Sequence, residues 1–281
     1  MIAYFDTNVF DHLEQRSNNG VTEEDLFRIG RAVKHEYLRV VISYLAIEET
    51  LLFIQREPKR ANARVKLMLE LGDKDLFALG QHLIMNNDIR AYAHSTPTVA
   101  PFTAFEPYVE LNIRNLANPT GSDVAELDNL AEEVRRDKKA FQGFLDEGKA
   151  KVKPMADAIG VKQYPFEHYW ANNSGWLAEN LADRAGVLHA VKQRGVNGLL
   201  KVKSVAVAVG ANLSLIYSHH FENRTPKPGD SRDILHAIVA STADVFVTND
   251  EPLEKILTRI PVDGFKLMSL RAFLESLPPW V

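Results

Sequence analysis

Two short apolar runs, one near each end of the chain, stop at carboxylates and limit the possible fold more than any other feature. Residues 1–5 read MIAYF before Asp6, and residues 245–248 read VFVT shortly before Asp250. Short apolar runs of this kind are typical of strands buried on both faces of a parallel sheet. Ligands of open α/β sheets bind at the carboxyl ends of such strands. We therefore expect Asp6 and Asp250 to project at the same edge of one sheet.

Further acids follow the same rule of placement. Asp230 and Asp233 lie three positions apart at the predicted start of a helix, so they share a face. Glu48 and Glu49 follow the predicted second strand. Each pattern alone has an ordinary explanation, because aspartate caps helices and acids favour helix N-termini. Capping does not predict matched acids after the first and a late strand, however. Carboxylates gathered at one edge repel each other unless a cation lies between them, and Mg²⁺ or Mn²⁺ suits oxygen ligands.

The remaining pattern predicts alternating strands and helices at both ends of the chain and helices between them. The predicted strands are residues 1–5, 38–43, 245–248 and 265–269; the predicted helices are residues 9–15, 45–55, 60–71, 231–242, 252–259 and 270–277, with a helix starting near Thr22. Alternation of this kind predicts a parallel α/β core formed by residues 1–73 and 222–281. Residues 74–221 show almost no strand pattern, so we expect a mostly α-helical insertion there, with helices in residues 122–150, 174–194 and 203–217.

Composition excludes several classes of protein. The 281 residues include no cysteine, so disulfides and thiolate metal sites are excluded. A formal net charge of -4 argues against a general nucleic-acid coat protein, although an enzyme with local basic patches fits it. The most apolar run, residues 204–218, is too short to span a bilayer and predicts a buried helix. With no signal-peptide pattern at the N-terminus, we expect a cytoplasmic protein without membrane contact.

The acidic motifs, in their order and context, resemble those of PIN-domain nucleases. The matching segments are YFDTN at residues 4–8, ISYLAIEE at 42–49, DILHAIVA at 233–240 and VFVTND at 245–250. The resemblance covers roughly residues 1–70 and 228–281 and implies a three-layer α/β/α core with a central parallel sheet. The helical middle is longer than compact members of that family have, so partners cannot be assumed.

The resemblance also implies roles for individual residues. The family's catalytic, metal-binding acids fall on Asp6, Glu49, Asp233 and Asp250, with Asp230 as an added metal-binding acid. Glu49 is preferred to Glu48 because of its distance from Ser43. Asn8 and Thr248 match polar residues that brace the acidic cluster. The implied reaction is Mg²⁺- or Mn²⁺-dependent phosphodiester hydrolysis, with RNA as the expected substrate and DNA left open.

Other residues offer substrate contacts. Arg224, Lys227 and Arg232 flank the late acids and are candidates for phosphate contact. A second basic group at Arg56, Lys59, Arg60, Arg64 and Lys66 fits a solvated helix face better. The aromatic run at residues 164–170 fits a core more readily than a base-stacking surface, and His219-His220 lacks a second ligand pair and is read as structural.

Two alternatives remain open from the sequence. One is a haloacid-dehalogenase-like phosphatase, which residues 229–233 resemble superficially; Asn8 stands where that family needs an acid. The other is a catalytically inactive PIN scaffold that binds RNA or protein. The sequence leaves open whether the chain forms a homo-oligomer or has a protein inhibitor.

Overall fold

The computed structural model describes residues 1–15, 21–54, 56–117, 119, 122–159, 164–225, 227 and 229–279, without the side chains of 122–123 and 151–159. The strands in this part of the chain are β1 Ile2–Phe5, β2 Arg39–Ile42, β3 Gly72–Ala78, β4 Phe102–Thr103, β5 Val245–Val247 and β6 Leu267–Met268. They form one sheet in the order β4-β3-β2-β1-β5-β6. All neighbouring strands pair in parallel except β4, which is antiparallel to β3.

Helices account for most of the remaining described chain. They are α1 Thr7–Gln15, α2 Glu23–Lys34, α3 Tyr44–Leu51, α4 Pro58–Leu71, α5 Gln81–His94, α6 Pro107–Ala117, α7 Ser122–Ile159, α8 Phe166–Arg184, α9 Leu188–Arg194, α10 Val196–Leu199, α11 Lys203–Phe221, α12 Asp230–Ala240, α13 Glu251–Leu257 and α14 Leu270–Ser276.

Local sequence explains several helix boundaries near the sheet. Thr22 and Asp25 form a reciprocal capping box at the start of α2. Ser43, which directly follows β2, caps α3 by accepting a hydrogen bond from the Leu45 amide. Pro58 lies in the first turn of α4, where a missing N–H costs nothing. The proline therefore begins a helix.

Helices cover both faces of the sheet. Alternate residues of β1 point to opposite faces, so Phe5 packs with α1, α2, α3, α4 and α14, while Tyr4 packs with α5, α11, α12 and α13. A third apolar cluster joins α5, α8, α9, α10 and α11. The predicted α/β architecture with a mostly parallel sheet and an extended helical region is therefore confirmed.

The predicted division of the chain is corrected in two respects. The boundary between residues 73 and 74 falls inside β3, and β4 adds another strand from the region expected to be helical. In addition, α11 packs directly on the face of the sheet that carries Tyr4 and Phe246. The middle of the chain therefore supplies part of the central sheet and part of one covering layer.

No helix in the described part of the chain is long and apolar enough to cross a membrane. The apolar run at residues 204–218 lies within α11, most of whose side chains are buried, as the sequence predicts.

Candidate active site

Four acids from four separate elements line one cavity of about 480 Å³. Asp6 directly follows β1, Glu49 lies on α3 after β2, Asp233 lies in the first turn of α12, and Asp250 precedes α13 after β5. Since β1, β2 and β5 are parallel, the cavity lies at the carboxyl edge of the sheet. The structure thus brings the four acids to the one edge that the strand pattern predicts.

Asp6 is the most thoroughly braced of the four. Its carboxylate is buried and accepts hydrogen bonds from the Thr7 amide at 2.7 Å, from Asn8 Nδ2 at 2.7 Å and from Thr248 Oγ1 at 2.8 Å. Asn8 in turn accepts from the Asn249 amide at 3.1 Å, which ties β1 to the segment after β5. Asn8 and Thr248 therefore hold the Asp6 carboxylate in place, the bracing arrangement predicted for them.

The two adjacent glutamates face different surroundings. Glu49 lines the acidic cavity and accepts a hydrogen bond from Thr7 Oγ1 at 2.8 Å. Glu48 lines a neighbouring cavity of about 720 Å³ and forms an ion pair with Arg232, with both side chains largely buried. Of the pair, the predicted Glu49 shares the cavity with Asp6.

A histidine that the sequence interpretation did not single out lies inside the acidic cluster. His236 is fully buried on α12; Nδ1 lies 2.5 Å from the Tyr4 hydroxyl, and Nε2 lies 3.0 Å from Glu49 Oε2 and 3.9 Å from Asp6 Oδ1. Burial lowers the pKa of His236, but the charge of Glu49 and its hydrogen bond outweigh that effect and raise the pKa to about 9. At neutral pH the ring is therefore an imidazolium that donates to Glu49.

Electrostatic effects differ among the acids. Burial raises the pKa of Glu49, but the charge of His236 and the hydrogen bonds from His236 and Thr7 outweigh it and lower the pKa to about 2. Burial, reinforced by the negative charges of Asp6 and Asp250, raises the pKa of Asp233 to about 8. Burial also raises the pKa of Asp6. At neutral pH the cavity thus holds a compensated Glu49 and a protonated Asp233.

Asp250 both caps a helix and lines the acidic cavity. Its Oδ1 accepts a hydrogen bond from the Leu253 amide at 2.9 Å and so caps α13, while the residue also lines the acidic cavity. Helix capping and membership of the acidic cavity are therefore compatible at this position.

The cavity has the ligand type that a divalent cation needs, but not, among the described residues, the ligand arrangement. Four acids around one cavity supply only oxygen donors, the ligand type that Mg²⁺ and Mn²⁺ prefer. In this conformation, however, no group of three or more acidic or histidine side chains among the described residues is arranged to hold a metal ion. His236 Nε2 lies 3.0 Å from Glu49 Oε2 and 3.9 Å from Asp6 Oδ1, so its ring already contacts one of the candidate ligands.

Basic side chains form a further part of the cavity lining, the basic wall. Arg56 follows α3, Arg64 comes from α4, and Arg135 and Lys138 come from α7. Arg56 and Arg64 belong to the basic group that the sequence assigned to a solvated helix face. In the structure both line the cavity instead.

The structure corrects the expected roles of Asp230 and the late basic residues. Asp230 is buried, and both of its oxygens accept hydrogen bonds from Arg224 at 2.6 Å; its Oδ2 also accepts from the Lys227 amide at 2.8 Å. It does not line the acidic cavity, because this pairing uses its carboxylate. Arg224 and Lys227 line a separate cavity, and Arg232 is held by Glu48.

Two smaller expectations concern the helical middle. Tyr169 packs against Tyr217 and Phe221 at ring-centroid distances of 5.6 and 5.5 Å, and Phe166 is buried, so these two aromatic side chains pack in the apolar cluster of the helical region. His219 is buried, and its Nδ1 lies 2.6 Å from the Arg224 carbonyl oxygen, a structural contact.

Comparison with known proteins gave no match: none of the family models, curated proteins or solved structures searched matches this chain. The functional interpretation therefore depends on the residues and geometry of the site itself.

Proposed function

We propose that this chain is a metal-dependent nuclease of the PIN-domain type that hydrolyses phosphodiester bonds in RNA. The observation that carries the proposal is the meeting of Asp6, Glu49, Asp233 and Asp250 in one cavity at the carboxyl edge of a parallel sheet. These acids come from distant parts of the chain, and helix capping alone does not require them to meet.

The side chains around the cavity suit this chemistry. Asp6, fixed by Asn8 and Thr248, would be the most rigid ligand, and Glu49 and Asp250 would complete a set of oxygen donors. Bound Mg²⁺ or Mn²⁺ would lower the pKa of an attacking water and neutralise charge on the scissile phosphate. Burial, together with the charges of Asp6 and Asp250, raises the pKa of Asp233, and a bound cation would offset the part that is due to those charges.

The basic wall suits a polyanionic substrate. Arg135 and Lys138 line the same cavity as the acids, where they could hold the phosphates on either side of the bond to be cleaved. The phosphatase alternative has less support, since Asn8 donates to Asp6 where an acid would be needed and Asp230 is held by Arg224.

A second candidate is a scaffold that binds RNA without cleaving it. The observation that favours it is His236, whose positive charge already compensates Glu49 inside the acidic cluster. In such a protein the histidine would replace the cation, and the basic wall alone would bind the nucleic acid.

Incubation of labelled single-stranded RNA with the protein in Mg²⁺, Mn²⁺ or EDTA separates the candidates. The proposal predicts cleavage that requires metal and is lost in Asp6→Asn. Binding without cleavage in either metal supports the scaffold instead, and turnover of p-nitrophenyl phosphate without RNA cleavage supports a phosphatase.

A further inference from the structure

The middle of α7 forms part of the lining of the acidic cavity. Ala131, Val134, Arg135 and Lys138 recur at helical spacing and all line it, so one face of α7 forms a wall of the cavity that holds the acids. This wall lies outside the segments that resemble PIN-domain nucleases. Its chemistry is therefore a property of this chain's own long helix.

The cations on this wall are free to take a ligand. No acidic side chain among the described residues lies within ion-pair distance of Arg135 or Lys138. Lys138 is half-buried and lines the same cavity as Glu49. A half-buried lysine without an ion-pair partner, beside an acid cluster, is suited to a bound anion that bridges the two sides.

The aromatic ring of Phe53 also lines this cavity. Phe53 lines the cavity with its side chain 44% exposed, although a large apolar side chain is more often buried. Arg64 lies over its ring at 5.9 Å from the centroid; this arginine is itself buried, pairs with Asp11, and has an Nε without a hydrogen-bond partner among the described residues. Phe53 and Arg64 thus line the cavity together, and nearly half of the Phe53 surface remains exposed.

We propose that Arg135 and Lys138 bind the phosphates, and Phe53 stacks a base, of a single nucleic-acid strand led between α7 and the acid cluster. This inference rests on the proposed function for its choice of ligand. A cavity of about 480 Å³ accommodates one or two nucleotides rather than a duplex. Base stacking on Phe53 also requires an unpaired base, which a single strand offers.

Adjacent residues on α7 provide matched controls. Arg136 and Lys139 carry the same charges one position further along the helix and do not line the acidic cavity. Phe144, also on α7, is 61% exposed and away from the cavity, so it matches Phe53 as an exposed phenylalanine. Each substitution near the cavity can therefore be compared with a chemically identical change elsewhere.

The experiment measures binding of a fluorescein-labelled 12-nucleotide RNA by anisotropy in EDTA, where no metal-dependent cleavage occurs, over a range of salt concentrations. Each phosphate contact to a single strand contributes about 0.7 to the slope of log affinity against log salt. The double variant Arg135→Gln/Lys138→Gln is expected to lower the slope by about 1.4, which amounts to about 25-fold weaker binding at 0.1 M salt. Arg136→Gln/Lys139→Gln is expected to leave both quantities near those of the unaltered protein.

Phe53→Leu tests the stacking contact separately. It is expected to weaken binding at least about fivefold without changing the salt slope, because stacking does not release counterions. Phe144→Leu is expected to have no effect. A 12-base-pair duplex should bind more weakly than the single strand, and a DNA 12-mer tested beside the RNA shows whether the sugar matters.

The outcomes separate this inference from the proposed nuclease function. Equal slopes in the two double variants, equal binding of duplex and single strand, or no binding at all would overturn the inference. Metal-dependent cleavage with an unchanged KM in Arg135→Gln/Lys138→Gln would overturn it while leaving the nuclease function standing. If only Arg135→Gln/Lys138→Gln lowers the salt slope, and the unaltered protein does not cleave RNA in Mg²⁺ or Mn²⁺, strand binding by α7 is supported and the nuclease function is contradicted.

Discussion

Replacing Asp233 by asparagine should stabilise the metal-free protein, and the gain should grow with pH. Burial and the charges of Asp6 and Asp250 raise the pKa of Asp233 to about 8. A raised pKa means that the folded state holds a proton that the unfolded state has released, so stability is lost as pH rises from the ordinary aspartate value to about 8. Asparagine cannot ionise and escapes this loss.

The size of this stability change follows from the difference between the pKa of Asp233 in the folded protein and the pKa of an ordinary aspartate. At about 1.4 kcal/mol per pKa unit, the loss in the unaltered protein is at most about 4 kcal/mol at pH 7 and about 6 kcal/mol above pH 8. We therefore expect Asp233→Asn to match the unaltered protein near pH 4.5 and to exceed it by a few kcal/mol at pH 8. Urea unfolding in EDTA at pH 4.5, 6, 7 and 8 measures this directly.

Asp230→Asn is the matched control, since it makes the same chemical change three positions away on α12. Its carboxylate is buried against Arg224, and removal of one partner of a buried pair typically costs about 3–5 kcal/mol. We expect this variant to be less stable at pH 7. A stability difference for Asp233→Asn that does not change with pH, or the same sign of effect in both variants, would refute the electrostatic account of the cavity.

Three further predictions test neighbouring residues. Asp6→Asn should abolish metal-dependent RNA cleavage while its thermal midpoint in EDTA holds or rises, because one carboxylate of a crowded cavity is neutralised; full activity at limiting Mg²⁺ would show that Asp6 is not a ligand. His236→Gln should destabilise the metal-free protein by up to about 3 kcal/mol below pH 6.5, and by progressively less as pH rises through about 9. The reason is that the raised pKa of His236 favours folding only while the ring is protonated. Urea unfolding across this pH range measures the loss of stability, and a loss that does not change with pH would contradict the prediction. Glu49→Gln should weaken Mn²⁺ binding measured by calorimetry, whereas Glu48→Gln should leave Mn²⁺ binding unchanged. Glu48→Gln should instead lower the stability of the protein by about 3 kcal/mol, because the ion pair with Arg232 is lost. Equal effects of the two variants on Mn²⁺ affinity would remove the distinction between the two glutamates.

Much of the sheet could be predicted because its central strands are plain apolar runs. Residues 2–5, 39–42 and 245–247 are buried on both faces, so little polar sequence interrupts them. β3 was missed because it opens with Asp73, Lys74 and Asp75, where the strand is partly or fully exposed. β4 has only two residues and pairs antiparallel, which no local pattern could have indicated.

The acids could be predicted individually, but their roles depended on tertiary partners. Asp230 and Asp233 share a helix face, and only the position of Arg224 in the preceding connector decides which one remains available. His236 follows Asp233 by three positions and so shares its face as well. That spacing was a usable signal, although nothing local showed that Glu49 would lie opposite the ring.

The positions of Arg135 and Lys138 in the cavity could not be predicted from the local sequence. Arg135 and Lys138 lie in a mixed-charge stretch typical of a solvated helix, and no sequence pattern says where so long a helix crosses the core. Arg224, Lys227 and Arg232 were the better candidates for phosphate contact from the sequence, because they adjoin the acids Asp230 and Asp233. In the folded chain Arg224 and Arg232 are held by Asp230 and Glu48 instead.

The central claim is that the four acids hold a divalent cation, and anomalous diffraction from a crystal soaked in Mn²⁺ tests it most directly. The account predicts a peak in the cavity about 2.0–2.4 Å from a carboxylate oxygen of Asp6, with Glu49, Asp233 or Asp250 as further ligands and the His236 contact to Glu49 lengthened. The same soak of Asp6→Asn should give a weaker peak or none. A cavity without a peak at saturating Mn²⁺, or a peak bound only elsewhere on the molecule, would contradict the account.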